Sequence, residues 1–151
     1  MKFLISLLAA LSLIVTGVPV LKVNAQVDIS NTPTEWSLGP IIVNSTHQEN
    51  FTVTNNGANP VNITISGSNM TGGIPWTLSP TAEPGADTYG LKANLDGGSF
   101  DIIVNEDGDV LVNNLAEEGG TQLWGLQFLS PTFFSDGVLK SGTVTLTATE
   151  I

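Results

Sequence analysis

The chain is 151 residues long, with 14 acidic and 4 basic side chains, one histidine, no cysteine and a formal net charge of −10. Without clustered Lys and Arg it has no means of displacing counterions from phosphates, so nucleic-acid binding is excluded. Zero Cys also excludes thiolate zinc sites, thiol catalysis and a disulfide framework. The length suits one domain with a proper core.

Residues 1–25 read as a secretory signal peptide. Met1-Lys2 is a short positive start, residues 3–15 are apolar apart from two serines, and Val23-Asn24-Ala25 forms a cleavage site before Gln26. Cleavage there removes Lys2 and Lys22, leaving Lys92 and Lys140 as the only basic residues. An uncleaved N-terminal membrane anchor is the alternative. The run is marginally long enough to span, although Gly17, Pro19 and Lys22 interrupt its end. No later stretch approaches membrane length, so the mature chain is expected to carry no transmembrane segment. A cysteine-free exported protein fits a prokaryotic exterior, either secreted or held at the cell surface.

From Gln26 onward the period is two. Residues 27–29 and 41–43 are candidate strands. Residues 51–54 and 61–65 alternate apolar and polar on either side of Asn55-Asn56-Gly57-Ala58-Asn59-Pro60, which reads as a hairpin with an Asn/Gly turn. Residues 76–78 and 89–93 follow. A second hairpin pairs residues 100–104 with 110–112 across Asn105-Glu106-Asp107-Gly108-Asp109. Residues 123–129 come next. The last strand sets Val144, Leu146 and Ala148 on one face and Thr143, Thr145, Thr147 and Thr149 on the other. No helical stripe appears. Eight to nine short strands predict a single all-β domain over 26–151, an antiparallel two-sheet β-sandwich of Ig-like or jelly-roll-like kind, with a closed barrel as runner-up.

Each of the three tryptophans lies in a Trp-x-Leu triplet, at Trp36, Trp76 and Trp124. In a strand, i and i+2 share a face, so each triplet presents two apolar groups to one side. Core packing accounts for that; exposed instead, the rings would form a stacking platform for sugars. Asn105, Asp107 and Asp109 offer oxygens for a loose calcium site, although Ile103 stands where an EF-hand loop needs its first ligand. Against calcium stands a solvated turn whose Asp-Gly supplies the geometry. Four N-x-[ST] sequons, at Asn44, Asn50, Asn62 and Asn69, are candidate glycosylation sites. His47 has no cysteine and no G-x-S-x-G elbow to work with, so no nucleophile–base triad can be named and a non-catalytic protein is expected. No cofactor is expected, calcium being the one candidate.

Residues 51–65 (FTVTNNGANPVNITI) resemble a hairpin widespread in prokaryotic secreted Ig-like sandwiches. A leader running directly into one cysteine-free sandwich is similar in layout to the TasA/camelysin-like matrix-fibre subunits and the archaeal bundling-pilus subunits. That resemblance implies polymerisation by donor-strand exchange, the donor being the segment from Gln26 through Asn31 (QVDISN), with an extension as far as Leu38 left open, in which Val27 and Ile29 anchor and Asp28 points outward. A second resemblance, carried by Trp76-Thr-Leu78 and Trp124-Gly-Leu126, is to WxL cell-surface proteins, and it implies attachment to cell-wall polymer. Two functions are therefore expected in competition. One is a structural subunit of a surface layer, matrix fibre or pilus-like filament, with itself or other surface proteins as partner. The other is a module binding cell-wall polysaccharide or other carbohydrate through exposed tryptophans.

Overall fold

The computed structural model describes residues 20–25 and 28–151. Residues 1–19 of the expected leader, and the donor candidate Val27, lie outside the described residues. The elements are β1 (Val20–Ala25), β2 (Ile29–Thr32), β3 (Glu35–Ser37), β4 (Thr46–Asn55), β5 (Val61–Gly67), β6 (Thr77–Leu78), β7 (Thr88–Leu95), β8 (Ile102–Ile103), β9 (Asp109–Leu115), β10 (Gly120–Leu129) and β11 (Ser141–Glu150). Among the described residues there is no helix, and so none long and apolar enough to cross a membrane.

Two sheets face each other. The first has the order β3-β1-β11-β5-β9, and the second β2-β4-β10-β7-β6 with β8 also on β7. The expected sandwich is therefore the fold. Its core follows from the alternation. Val61, Ile63, Ile65, Val144 and Leu146 come from the first sheet, and Phe51, Val53, Leu91, Trp124, Leu126 and Phe128 from the second, all buried. The intervening threonines face outward, half-buried. Phe51 stacks on Trp124 with ring centroids 4.6 Å apart, and Tyr89 on Phe128 at 5.5 Å.

Both expected hairpins are corrected. β4 lies in the second sheet against β10 and β2, whereas β5 lies in the first against β11 and β9. Residues 56–60 thus form an arch from one sheet to the other. The cause is Asn55, which is buried at the end of β4. Its Nδ2 donates to Asn59 O at 2.8 Å and Leu115 O at 3.3 Å, while its Oδ1 accepts the Gly57 N–H at 3.0 Å. An amide satisfied inside the fold holds the chain across the gap between sheets instead of letting it turn back. Likewise β8 pairs with β7 and β9 with β5, so residues 104–108 also cross between sheets.

Two further differences concern short pieces. Residues 41–43 are not a strand: Asn44 has a φ of 55°, and Ile42 O accepts bonds from Ser45 Oγ at 2.7 Å and Ser130 Oγ at 2.8 Å. Of the eleven strands among the described residues, β1 and β3 match no expected strand: β1 arises within the supposed leader, and β3 holds only three residues.

Candidate functional site

The most distinctive placement is that of β1. It runs parallel to β11, from Val20 opposite Ser141 to Ala25 opposite Leu146, and antiparallel to β3 on its other side. Leu21 is fully buried in the common core. Gly142 makes room beside it: a Cβ there would lie 2.9 Å from Met70 Cγ, closer than real Cβ contacts come, and a tight 3.3 Å from Leu21 Cδ2. A segment expected to be removed with the leader thus fills a strand position in the first sheet.

The remaining sheet edges are poor templates for a new strand. β2 has four residues and β3 three. β9 has register shifts against β5 and a positive φ of 56° at Asn114. Short and bulged edges resist pairing with another chain. β11 has ten residues, and β1 covers its first six.

Beside the start of β1, three loops are tied together. Lys140 is buried, its Nζ donating to Asp136 Oδ1 at 2.6 Å and Gly72 O at 2.5 Å and lying 5.7 Å from the centroid of the Trp76 ring. The Lys140 bond, together with the N–H groups of Ile74 and Val138, holds the Asp136 carboxyl down from 3.8 to about 2. Asn44 N–H donates to Pro131 O at 3.1 Å, which fixes the 38–45 loop to the 130–140 loop. Between them lies a hollow of about 200 Å³ whose walls include Pro40, Ile41, Trp76, Phe134 and Val138. Trp76 stacks on Phe134 at 4.9 Å, and its buried Nε1 has no hydrogen-bond partner in the protein. Tyr89, at the start of β7, donates its hydroxyl to Ser68 O at 2.5 Å. Burial first, and the negative charge of Glu106 second, push that phenol well above its usual range.

The residues singled out in the sequence do not converge. Of the donor candidates, Ile29 is buried and opens β2 against Asn55 of the same molecule, while Asp28 is exposed with a φ of 70°. Asn105 Oδ1 accepts the Gly108 N–H at 2.9 Å and Asp109 Oδ1 accepts the Val110 N–H at 2.7 Å, so one oxygen of each bonds to a neighbouring backbone amide. Asp107 is exposed. Among the described residues no group of three or more His, Asp or Glu side chains is placed to hold a metal ion. Asn44, Asn50 and Asn69 are exposed and Asn62 half-buried. The Oδ1 of Asn69 accepts the Leu78 N–H at 2.7 Å, and that of Asn62 the Asn114 N–H at 2.9 Å.

The tryptophans are 6% (Trp36), 3% (Trp76) and 0% (Trp124) exposed. A stacking platform needs an open ring face, and none of the three offers one: Trp36 and Trp124 pack into the core, and Trp76 lies against Phe134 and beneath Lys140. Trp124 Nε1 even finds its acceptor inside, on Asn31 Oδ1 at 2.9 Å. His47 lies within β4, its Nε2 3.1 Å from Ser45 Oγ and its ring edge-on to Phe128. Sequence reasoning passed over Lys140 and Leu21. The one available signal for the former was the i,i+4 spacing of Asp136 and Lys140. No protein-family model matches the chain, and neither does any curated protein.

Proposed function

We propose that this chain is a non-catalytic structural protein of a prokaryotic cell surface, a subunit of a layer, matrix fibre or pilus-like filament that grows by β-strand addition. The observation that supports this reading is the position of β1. A cut after Ala25 takes β1 away and leaves the Ser141–Leu146 ladder and β3 without their shared neighbour, together with the space of Leu21. An extended segment from a second copy restores both, with main-chain hydrogen bonds along β11 and an apolar side chain in the Leu21 position.

Residues 26–31 (QVDISN) have the alternation that such a donor needs. Ile29 to Thr32 already pair with β4, so donating them exchanges a four-residue ladder for one of up to six. That exchange also makes polymerisation slow to start, since the monomer must first open its own edge.

Electron microscopy and gel filtration of two chains test the reading. Residues 26–151 should form filaments or sheets, and residues 20–151 should stay monomeric. A synthetic peptide of residues 20–25 added in trans should cap the 26–151 chain and stop its growth. If both chains remain folded monomers, strand addition at β11 is wrong.

A further inference from the structure

The end of the sandwich where β1 begins is built unlike the rest of the surface. Of the nine large hydrophobic side chains exposed among the described residues, six stand in the loops of this end: Ile42, Val43, Ile74, Phe133, Val138 and Leu139. Ile42 is 71% and Phe133 58% exposed. The other three stand apart, Val110 on β9, Leu123 on β10 and Ile151 at the C-terminus. Single exposed hydrophobics are ordinary, but a contiguous group marks a surface that meets something apolar.

These loops form a fixed platform. Lys140 and Asp136 join the 72–74 backbone to the 136–140 loop through Gly72 O and the Ile74 N–H. Ser130 Oγ donates to Ile42 O at 2.8 Å, and Phe133 bridges to Ala86.

The chain itself indicates what the platform meets. Val20 N–H donates to Lys140 O at 3.2 Å, so β1 begins beside Lys140. Four residues, 16–19, separate that point from the apolar run of residues 3–15. Fully extended they span at most about 14 Å. Whatever apolar medium receives residues 3–15 is therefore held within that distance of the exposed loops.

We propose that, in the chain that still carries its leader, this loop end is a membrane-docking face, with Ile42, Phe133, Val138 and their neighbours seated in the interfacial layer of the bilayer that holds residues 3–15. The attraction is apolar. Lys140 is buried against Asp136 and half-buried Lys22 lies beside Thr71 and Ser141, while Glu83, Asp87 and Glu106 near this end are negative and outnumber Lys22, so anionic lipid repels the face. Docking is accordingly strongest on zwitterionic vesicles and weakens as anionic lipid is added at low salt. The proposal rests on the reading of residues 1–25 as a leader, and not on strand addition.

The absence of native cysteine makes the test direct. Full chains 1–151 carrying Ile42→Cys, Phe133→Cys or Val138→Cys, and Ala58→Cys at the opposite end, are labelled with a polarity-sensitive fluorophore and reconstituted into phosphatidylcholine vesicles. The three loop-end labels should shift to the blue and lose intensity to spin-labelled lipid, with the Ala58 label unchanged. Aqueous emission at all four positions overturns the proposal. So does a blue shift that spin-labelled lipid does not quench, because it means that a second copy covers the face. Filament formation by residues 26–151 is a separate measurement, so failure of one reading leaves the other standing.

Discussion

Lys140 Nζ donates to Asp136 Oδ1 at 2.6 Å although the lysine side chain is only 1% exposed and the carboxylate 20%. A buried ammonium is costly unless paired, and here its partners are one carboxylate, one carbonyl and the face of Trp76. The two ends of the pair are not equivalent. Asp136 can rehydrate if Lys140 is removed, whereas Lys140 cannot if Asp136 is. D136N should therefore lower the urea midpoint more than K140M does, and the double variant should recover part of the loss. Equal effects of the two single variants would show that the lysine reaches water.

The same pair sets an acid limb. Because the folded state holds Asp136 below its ordinary 3.8, at about 2, its stabilisation is complete above 3.8 and disappears as pH falls toward 2. Urea midpoints of the native chain and D136N should differ by a constant amount at neutral pH and converge by about pH 2. A difference that persists at pH 2 would assign the loss to packing.

Asn55 supports the arch with three hydrogen bonds from a buried position. N55L leaves Asn59 O, Leu115 O and the Gly57 N–H without this partner, at a cost of about 1–3 kcal/mol for each group that water does not reach. Asn59 is exposed and Leu115 buried, so most of the loss falls on Leu115 O. Urea unfolding of N55L against N59A checks this, since N59A keeps every one of these bonds and should be near neutral.

How far the fold was legible follows from what alternation encodes. A period of two states which side chains point inward, and Phe51, Val53, Ile63, Ile65, Val144 and Leu146 are buried as it requires. It does not state which strand lies alongside. A polar Asn/Gly connection of five or six residues serves a hairpin or an arch equally, and the choice was made by one buried amide at Asn55 that reads in the sequence as part of the turn. The site was less legible still. Lys140 lies in an ordinary-looking loop, and its burial depends on Gly72 and Trp76, far away in sequence. Leu21 was hidden by its resemblance to the tail of an apolar leader.

Burial of all three indoles gives a solution signature. Emission of the folded chain should be blue-shifted and little quenched by acrylamide, with full quenching appearing only in urea. W124F removes the donor to Asn31 Oδ1, and leaving that buried oxygen unpaired costs about 1–3 kcal/mol. Strong acrylamide quenching of the native chain would return a tryptophan to the surface and revive carbohydrate stacking.

The decisive residue for the N-terminal strand is Leu21. In the chain 20–151 its side chain is fully buried in the common core beside Gly142. L21A should cost about 2–5 kcal/mol, as other buried leucine truncations do. Amide exchange supplies the matching backbone measurement. β11 amides that face β1 between Ser141 and Leu146 should be protected in the 20–151 chain and exchange faster in the monomeric fraction of the 26–151 chain, while amides facing β5 change little. If L21A is neutral and the exchange pattern is the same in both chains, β1 contributes nothing to the folded sheet. The edge of β11 is then open from the outset, and strand addition needs no cut to begin.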